Sequence, residues 1–481
     1  MNRRMILYIL AKMMGVEGVL LLLPAFVGLL YGEKSGTCFL FPATILALIY
    51  IIFGIRKPNK TKIYAKEGMI IVASAWILWS MFGAIPFTLG GYIPNYLDAF
   101  FETVSGFTTT GSTILNDIES LSHCMHFWRC FTHWIGGMGV LVFVLVLTSL
   151  DKKNTMYLMR AEVPGPEKDK LVPKAMATAR ILYGMYFALT AVEIVLLLFG
   201  GMSPFDSIIH AFSTAGTGGF SNYANSIGQL DSAYIDGVIT VFMILFGINF
   251  NLFYLLLLRQ FKPVWKNEEL RTYLAIIATA IAFIIWNITS IYGNPLKAFR
   301  YAAFQVASII TTTGFSTADY MKWPTMSQTI IIILMIIGAC ASSTGGGIKV
   351  SRFLIVVKSI KKELKQMVHP KSVNLIRING KKMNPDIVQN VFVYLVAYAG
   401  IAGLSVLLVS IDDFDFATNF GSVMGTLNNI GPGLGVSGPA GNFAQFSPFS
   451  KLVFCMDMLI GRLEIFPFLM LFTSISWRKK F

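Results

Sequence analysis

Four short segments of this chain share one pattern, in which small or polar residues lead into a glycine. Placing Gly111, Gly219, Gly314 and Gly431 in one column aligns the segments without gaps. They read Phe107-Thr108-Thr109-Thr110-Gly111-Ser112, Gly216-Thr217-Gly218-Gly219-Phe220-Ser221, Ile310-Thr311-Thr312-Thr313-Gly314-Phe315 and Leu427-Asn428-Asn429-Ile430-Gly431-Pro432. Self-similarity of this kind indicates an internal repeat, and four such loops around one axis can enclose an ion pore. We therefore predict that a single polypeptide forms a pore with four walls.

The chain is too apolar for a water-soluble protein of its size. Of its 481 residues, 55% are hydrophobic and 13% are charged, and the mean hydropathy is +0.65. Several apolar runs reach the roughly 20 residues that cross a bilayer. The runs occupy residues 68–87, 181–199, 238–258, 274–286, 330–337 and 391–409, with a further spanning helix predicted over 5–30. Because only helices and closed barrels satisfy the backbone in lipid, and these runs are too long for barrel strands, we predict an all-α polytopic membrane protein.

The positive charge is concentrated on one side of the predicted membrane. Of 39 Lys and Arg residues, 31 fall in one set of loops and at the two ends of the chain, whereas the opposite set of loops holds six. This asymmetry follows the positive-inside rule, so both termini are predicted to be cytoplasmic and the four glycine loops external. The net charge of +14 is then mainly a topology signal, and a nucleic-acid partner is not expected.

The chain divides into an N-terminal helix hairpin, residues 1–66, and four pore repeats. Each repeat is predicted to contain a spanning helix, a short re-entrant helix, a glycine loop and a second spanning helix. Non-helical backbone at membrane depth is tolerated only where it lines water or is buried in protein, which suits loops that line a pore. The repeats cover 67–173, 174–269, 270–384 and 385–481, with short helices at 96–107, 204–215, 295–310 and 414–427.

The chemistry of the glycine loops suits potassium. A potassium ion that crosses a membrane has to exchange its water shell for other oxygens, and rings of backbone carbonyls supply them. Glycine permits the backbone angles that turn consecutive carbonyls inward, and the carbonyl end of each short helix adds a weak negative field. The filter predicted to bind K+, as the only metal site, comprises Thr109, Thr110, Gly111, Thr217, Gly218, Gly219, Thr312, Thr313, Gly314, Asn429, Ile430 and Gly431.

These loops and several other segments resemble the pore subunits of the Trk/Ktr/HKT superfamily of potassium transporters, closest to the TrkH type. The resemblance covers nearly the whole chain, and the initial helix pair favours the TrkH type. It implies potassium uptake across the bacterial inner (plasma) membrane and no enzymatic activity. The other segments are Trp134-Ile135-Gly136-Gly137-Met138-Gly139, Gly345-Gly346-Gly347-Ile348-Lys349, His369-Pro370 and Gly461-Arg462-Leu463-Glu464.

The resemblance also implies partners and a transported ion. The chain is expected to form a homodimer in the lipid bilayer and to bind a cytosolic nucleotide-binding regulatory subunit of the TrkA type. K+ is the transported ion, and no organic cofactor is expected in this chain. The second loop departs most from the family pattern, because Gly218 stands where the other loops have Thr or Ile. The choice between potassium and sodium therefore stays open.

Two features beneath the predicted filter are candidates for a gate. Residues 338–347 interrupt an apolar helix with small residues and the run Gly345, Gly346 and Gly347, each glycine costing a helix about 1 kcal/mol. The resemblance implies a mobile gating loop there, and the alternative is a packing interface of small residues. Arg462 lies in an apolar helix, where arginine is costly and marks a functional site by default. The resemblance implies an electrostatic barrier, and the alternative is a structural pair with Glu464 or with a carbonyl.

Several alternatives stay open at this level. Glu102 either supports the filter or is a solvated helix residue. The acids Asp206, Asp412, Asp413 and Asp415 either concentrate cations at the mouth or cap helices. His123, Cys124, His126, Cys130 and His133 have the residue types of a metal site but not its usual spacing, so a plain helix start is favoured. Transport is either channel-like or coupled to H+ or Na+, and an intramembrane enzyme is disfavoured for want of a nucleophile–base pair.

Overall fold

The computed structural model describes residues 2–59, 63–139, 175–372 and 374–473. Helices dominate these ranges, whose only strands form one antiparallel ribbon, β1 Arg377–Ile378 with β2 Lys381–Lys382. Six helical stretches are long and apolar enough to span a membrane, two in the N-terminal hairpin and one at the start of each repeat. The predicted all-α membrane fold with an N-terminal hairpin and four repeats is therefore confirmed.

The hairpin consists of two membrane-length arms. The first arm is α1 Arg3–Leu20 followed by α2 Leu22–Leu30, and the second is a 3₁₀ turn over Lys34–Phe39, α3 Leu40–Ile49 and a π-helical turn over Tyr50–Gly54. Its buried side chains join one apolar core with the first and fourth repeats. The hairpin therefore packs on the outside of the repeat ring rather than adding a wall to it.

The helices of the four repeats follow one plan. The first repeat has α4 Ala65–Leu89, α5 Tyr96–Phe107 and α6 His123–Gly137. The second has α7 Ala175–Phe199, α8 Pro204–Gly216, α9 Ala233–Phe246 and α10 Phe250–Leu257, followed by the connecting helix α11 Phe261–Trp265. The third has α12 Glu268–Tyr292, α13 Pro295–Ile310, α14 Thr325–Ile337 and α15 Val350–Val368. The fourth has α16 Pro385–Val409, α17 Phe416–Leu427, α18 Pro448–Arg462 and α19 Phe466–Phe472. Short 3₁₀ turns lie at Ser226–Leu230, Tyr320–Lys322, Ser410–Asp412 and Gly435–Ser437.

The short helices α5, α8, α13 and α17, here called the pore helices, each begin at a side-chain cap. Asn95, Ser203, Asn294 and Asp415 accept a hydrogen bond from a backbone N–H in the first turn. The predicted bounds are correct for α5 and α13. The predicted start of α17 at residue 414 was wrong by two residues, because the Asp415 carboxylate accepts from the Thr418 N–H and fixes the cap there.

The second helices of the repeats do not run straight through the membrane. The prediction of one span over 238–258 was wrong, because α9 ends at Phe246 and α10 starts at a bend of 92°. In the third repeat α14 ends at Ile337, and in the fourth α18 ends at Arg462. In the first repeat α6 ends at Gly137, and the predicted remainder up to residue 150 lies outside the described residues.

Glycine lies at these breaks because the second helix touches the end of a pore helix there. A Cβ on Gly136 would lie 1.9 Å from the carbonyl oxygen of Phe107, the last residue of α5. A Cβ on Gly461 would lie 2.0 Å from the carbonyl oxygen of Leu427, the last residue of α17. Real Cβ atoms do not approach an oxygen so closely, so only glycine allows this contact.

Ion pairs join neighbouring repeats near the outer ends of the pore helices. Arg300 of α13 donates from Nε to Asp236 of α9 at 2.7 Å, and Asp236 is 2% exposed. Lys451 of α18 donates to Asp98 of α5 at 2.8 Å. Asp236 and Lys451 are each the fourth residue of their helices, so the two joints occur at one level of the repeat.

We expect Arg300→Met to lower the apparent Tm of the purified protein in detergent. The change leaves the Asp236 carboxyl buried without its charged partner, at a cost of about 1–3 kcal/mol. Lys322→Met is the matched control in the same repeat, because Lys322 is 83% exposed in its contact with Asp319 and such pairs contribute little. An equal Tm for the two variants would contradict a structural role for the joint.

Candidate ion pathway

The four glycine loops have the same backbone conformation. In each loop the residue two before the glycine and the glycine itself have positive φ angles. The first set is Thr109, Thr217, Thr312 and Asn429, at 54–60°, and the glycines are at 84°, 78°, 82° and 97° in chain order. The residue before each glycine donates its N–H to the carbonyl five positions earlier, at 2.8–2.9 Å; the pairs are Thr110 to Ser105, Gly218 to Ser213, Thr313 to Ser308 and Ile430 to Gly425. The repeat seen in the sequence is therefore a repeat of three-dimensional structure.

The four loops close into a ring in chain order. A Cβ on Gly111, Gly219 or Gly314 would lie 2.0 Å from a carbonyl oxygen of the next loop. A Cβ on Gly431 would lie 2.7 Å from the Thr110 carbonyl oxygen of the first loop, which completes the circle. The carbonyls approached in this way belong to Gly218, Thr313, Ile430 and Thr110, the residues just before the glycines. Since all four glycines also line one cavity, the loops enclose a common opening.

The side chains behind the ring make its walls unequal. In the first loop the hydroxyls of Thr108 and Thr110 are 2.8 Å apart, and in the third those of Thr311 and Thr313 are also 2.8 Å apart. These two loops lie opposite each other in the ring. In the fourth loop Asn429 donates from Nδ2 to the Thr110 hydroxyl at 2.9 Å. The second loop has glycine at both matching positions, 216 and 218.

A buried ion pair braces the first and second loops. Glu102 of α5 is 1% exposed and accepts from Arg129 Nε at 2.6 Å, the Thr113 hydroxyl at 3.0 Å and the Ile114 N–H at 3.0 Å. Arg129 also donates to the Ser221 carbonyl at 2.9 Å. Glu102 therefore supports the segment that leaves the first loop, and the alternative of a solvated helix residue was wrong.

The segment 338–349 passes directly beneath the third and fourth loops. The Gly346 N–H donates to the Thr312 hydroxyl at 2.6 Å, and the Gly347 N–H donates to the Asn428 carbonyl at 3.1 Å. A Cβ on Gly346 would lie 2.3 Å from that carbonyl. The glycine run is thus needed for the segment to lie against the glycine loops, which a packing interface between helices would not require.

The same segment is held by the broken second helix of the second repeat. The Cys340 N–H donates to the Gly247 carbonyl at 3.1 Å, and the Phe250 N–H donates to the Ser342 carbonyl at 3.0 Å. These bonds use backbone groups that the break between α9 and α10 leaves without a helical partner. The segment therefore bridges the second, third and fourth repeats.

Arg462 lies at the inner end of this arrangement and contacts carbonyls. Its guanidinium donates to Thr344 of the segment at 2.8 Å, and to Gly136 at 2.5 Å and Gly137 at 2.9 Å at the end of α6. The helix α18 ends at Arg462, and the chain turns at Glu464 and Ile465 with φ angles of 55° and 68°. Arg462 therefore joins the first repeat to the segment beneath the ring of glycine loops.

Two further cations lie at the end of the segment, Lys349 as its last residue and Arg352 three residues beyond it. Arg352 donates to the Glu464 carboxylate at 2.5 Å, and its guanidinium lies 3.9 Å from the Tyr394 ring centre. The Lys349 ammonium donates to the Gly345 carbonyl. Sequence reasoning counted Lys349 and Arg352 with the cytoplasmic loops. Their position just after the glycine run was the one available sign of another role.

Two of the acids that were predicted to lie at the mouth, Asp206 and Asp415, hold a loop and a helix cap in place. Asp415 caps α17, and the hydrogen bond from the Thr418 side chain lowers the pKa of the Asp415 carboxyl below its usual value. Asp206 accepts from Asn222 at 2.8 Å and from Tyr223 at 3.0 Å. Among the described residues, none of these acids lines the cavity at the four loop glycines.

The first histidine and the first cysteine of α6, His123 and Cys124, form the capped start of that helix. Glu33 of the hairpin accepts from the backbone N–H of His123 at 2.8 Å and of Cys124 at 3.1 Å, which caps the start of the helix. Although burial acts to raise the pKa of Glu33, these hydrogen bonds lower it below the usual value. Among the described residues, no group of three His, Cys, Asp or Glu side chains is arranged to hold a metal ion.

Known proteins are similar to this chain over nearly its whole length. A family model described as TrkH, cation transport protein, matches residues 43–479. The chain belongs to the TrkH family. The Trk system potassium uptake protein TrkH of Salmonella typhimurium is 38% identical over 467 residues, 95% of this chain and 96% of the relative. The TrkH protein of Escherichia coli K12 is 37% identical with the same coverage.

A solved member of the TrkH family has the same fold. The crystal structure of the potassium transporter TrkH from Vibrio parahaemolyticus matches with a TM-score of 0.90 and 33% identity, covering 99% of this chain and 100% of that one. The resemblance found in the sequence is confirmed. This chain is a multi-pass membrane transporter of the TrkH family and not an enzyme.

We expect Gly219→Ala to abolish ion flux while the protein still folds. The new Cβ would lie 2.0 Å from the Thr313 carbonyl, and the left-handed backbone costs any residue with a Cβ about 1–2 kcal/mol. Uptake of ⁸⁶Rb⁺ into proteoliposomes measures the effect. Gly237→Ala in the same repeat is the control, because no atom lies within 4 Å of its Cβ position. Normal flux in Gly219→Ala would exclude this glycine from the ring.

Proposed function

We propose that this chain takes up potassium through a selectivity filter formed by the four glycine loops, in the bacterial inner membrane with both termini in the cytoplasm. The observation that carries the proposal is the closed ring, in which each filter glycine meets a carbonyl of the next loop. The relatives named as Trk potassium uptake proteins support the same ion. One chain then contains one complete pore.

The proposed filter uses backbone oxygens and one glycine per loop. The carbonyl oxygens of Thr110, Gly218, Thr313 and Ile430 each lie against the glycine of a neighbouring loop. A ring of carbonyls replaces the hydration shell of K+, and the four pore helices direct their carbonyl ends to the same centre, which favours a cation. Because the walls have different side chains, selectivity is expected to depend on how firmly each wall is held.

We propose that residues 338–347 of the segment 338–349, with Gly345, Gly346 and Gly347, are the gate and that Arg462 adds an electrostatic barrier below the filter. In support, the segment forms hydrogen bonds to filter residues and Arg462 donates to its Thr344 carbonyl. Opening a path would require these bonds to break together. The bonds from Arg462 to Gly136 and Gly137 would make the first repeat part of the same movement.

A symporter coupled to H+ or Na+ is the second candidate. Glu193 and Asp457 favour it, because both carboxyl groups are buried within the helices of the second and fourth repeats. Asp457 accepts from the Ser405 hydroxyl at 2.7 Å. Glu464, by contrast, is paired with Arg352. A coupled mechanism would make the rate of uptake depend on a pH or sodium gradient at constant voltage.

We also propose the two partners that the family resemblance implies, a homodimer and a cytosolic regulatory subunit of the TrkA type. The cytoplasmic helix α15 supports this, since it leaves the proposed gate directly and exposes Ile360, Leu364 and Met367. Between them it exposes lysines, so the helix offers both apolar contact and charge to a partner. The Lys358–Glu268 ion pair, together with two hydrogen bonds between Asn379 and Glu268, holds the rest of the linker against α12.

The proposal is tested with purified protein in liposomes. We expect a membrane-potential-driven uptake of ⁸⁶Rb⁺ that K+ inhibits better than Na+ does, measured with and without a regulatory subunit. Empty liposomes and the Gly219→Ala variant are the controls. An absence of Rb+ and K+ flux under both conditions would contradict the proposed function.

We expect Arg462→Ala to increase flux. A unit charge about 4–8 Å from a cation at an effective dielectric constant of about 20 contributes roughly 2–4 kcal/mol, so the increase should be at least about tenfold. Arg462→Lys keeps the charge and is the matched control, which should retain the low flux. Equal fluxes in the two folded variants would show that charge at this position is not the barrier.

A further inference from the structure

The second wall of the filter lacks the side chain that supports the other three. The residue before the filter glycine is Thr110, Thr313 or Ile430 in the other loops, and it is Gly218 in the second. The φ angle of Gly218 is not in the left-handed region. The backbone at this position would therefore accept a side chain, and something else must account for the glycine.

The imidazole of His133 occupies the space that this side chain would fill. A Cβ on Gly218 would lie 2.3 Å from both Cγ and Nδ1 of His133. A Cβ on Gly216, two residues earlier, would lie 2.2 Å from the His133 carbonyl oxygen. His133 belongs to α6 of the first repeat and is fully buried. The first repeat thus supplies the side chain that the second wall lacks.

His133 is itself held by a stack that ends on the buried ion pair. Its ring lies 4.2 Å from the ring of Phe220, nearly parallel to it at 20°. The guanidinium of Arg129 lies 3.6 Å from the Phe220 ring centre and is paired with Glu102. Stacked rings and a cation over a ring are favourable contacts that fix orientation. The imidazole behind Gly218 is therefore in a defined place.

The sequence shows that the first repeat is the exception at this position. Counted from the first residue of α6, α9, α14 and α18, the eleventh residues are His133, Met243, Met335 and Met458. Three repeats have the flexible methionine and one has the rigid ring. The one ring lies against the wall whose own side chain is missing, so the two exceptions form a complementary pair.

We propose that His133 is a specificity-determining residue, because it positions the Gly218 carbonyl of the filter in place of a side chain from the second loop. This inference rests on the proposed function, since it assigns a role within the potassium filter. It accounts for the side chain that the most divergent loop lacks. The rigid ring does for the second wall what the threonine hydroxyl pairs do for the first and third.

A reciprocal exchange of side-chain size tests the inference. His133→Ala removes the support, and we expect the ratio of K+ to Na+ uptake in proteoliposomes to fall about tenfold, the usual order for a size misfit in a recognition site. Gly218→Thr alone should lower the Tm and flux because the side chain meets the ring. The double variant His133→Ala with Gly218→Thr should recover both Tm and flux.

His126→Ala is the matched control, since His126 is buried two turns earlier on the same helix. An unchanged K+ to Na+ ratio in folded His133→Ala would overturn the inference, as would a double variant no more stable than Gly218→Thr. If His133→Ala fails to fold, His133→Met replaces it, with a lowered ratio expected and a wild-type ratio contradicting the inference. If the wild-type protein shows no K+ flux, the proposed function is refuted instead. The Tm values of Gly218→Thr and of the double variant would still test the steric contact between the two side chains.

Discussion

The close approach of the glycine in each of the four loops to a carbonyl of the next loop is the constraint on which the rest of the molecule depends. Three of the four contacts would bring a Cβ within 2.0 Å of an oxygen, so the ring exists only while those positions are glycine. The approach also requires the pore helices to converge at one depth. The caps at their outer ends, and the ion pairs between repeats, hold them there.

The breaks in the second helices follow from the same convergence. Because Gly136 and Gly461 touch the final carbonyls of pore helices α5 and α17, the second helix passes the filter too closely to continue past it with ordinary side chains. The freed backbone groups near the break of the second repeat then bind the segment 338–349. Filter and proposed gate are thereby linked through shared hydrogen bonds, so a change in either one bears on the other.

The arrangement of the four repeats could be predicted from sequence because it depends on patterns within short stretches of the chain. Glycine columns, apolar runs and the charge asymmetry fix the fold class, and capping residues fix the pore helices to within two residues. The break in the second repeat was missed because residues 238–258 are mostly apolar, although Gly247 and Asn249, the side-chain cap of α10, lie at the break. The roles of Arg129 and His133 depend on contacts between repeats, and no spacing along the sequence reveals those.

The four loops are proposed to bind a potassium-like ion on one axis. Anomalous scattering from crystals of this protein grown in Rb+ would locate such an ion. We expect a peak on the axis of the ring, surrounded by the carbonyl oxygens of Thr110, Gly218, Thr313 and Ile430, with one such site per chain. An ordered ring without a peak in Rb+, or a peak only between two chains, would contradict this proposal.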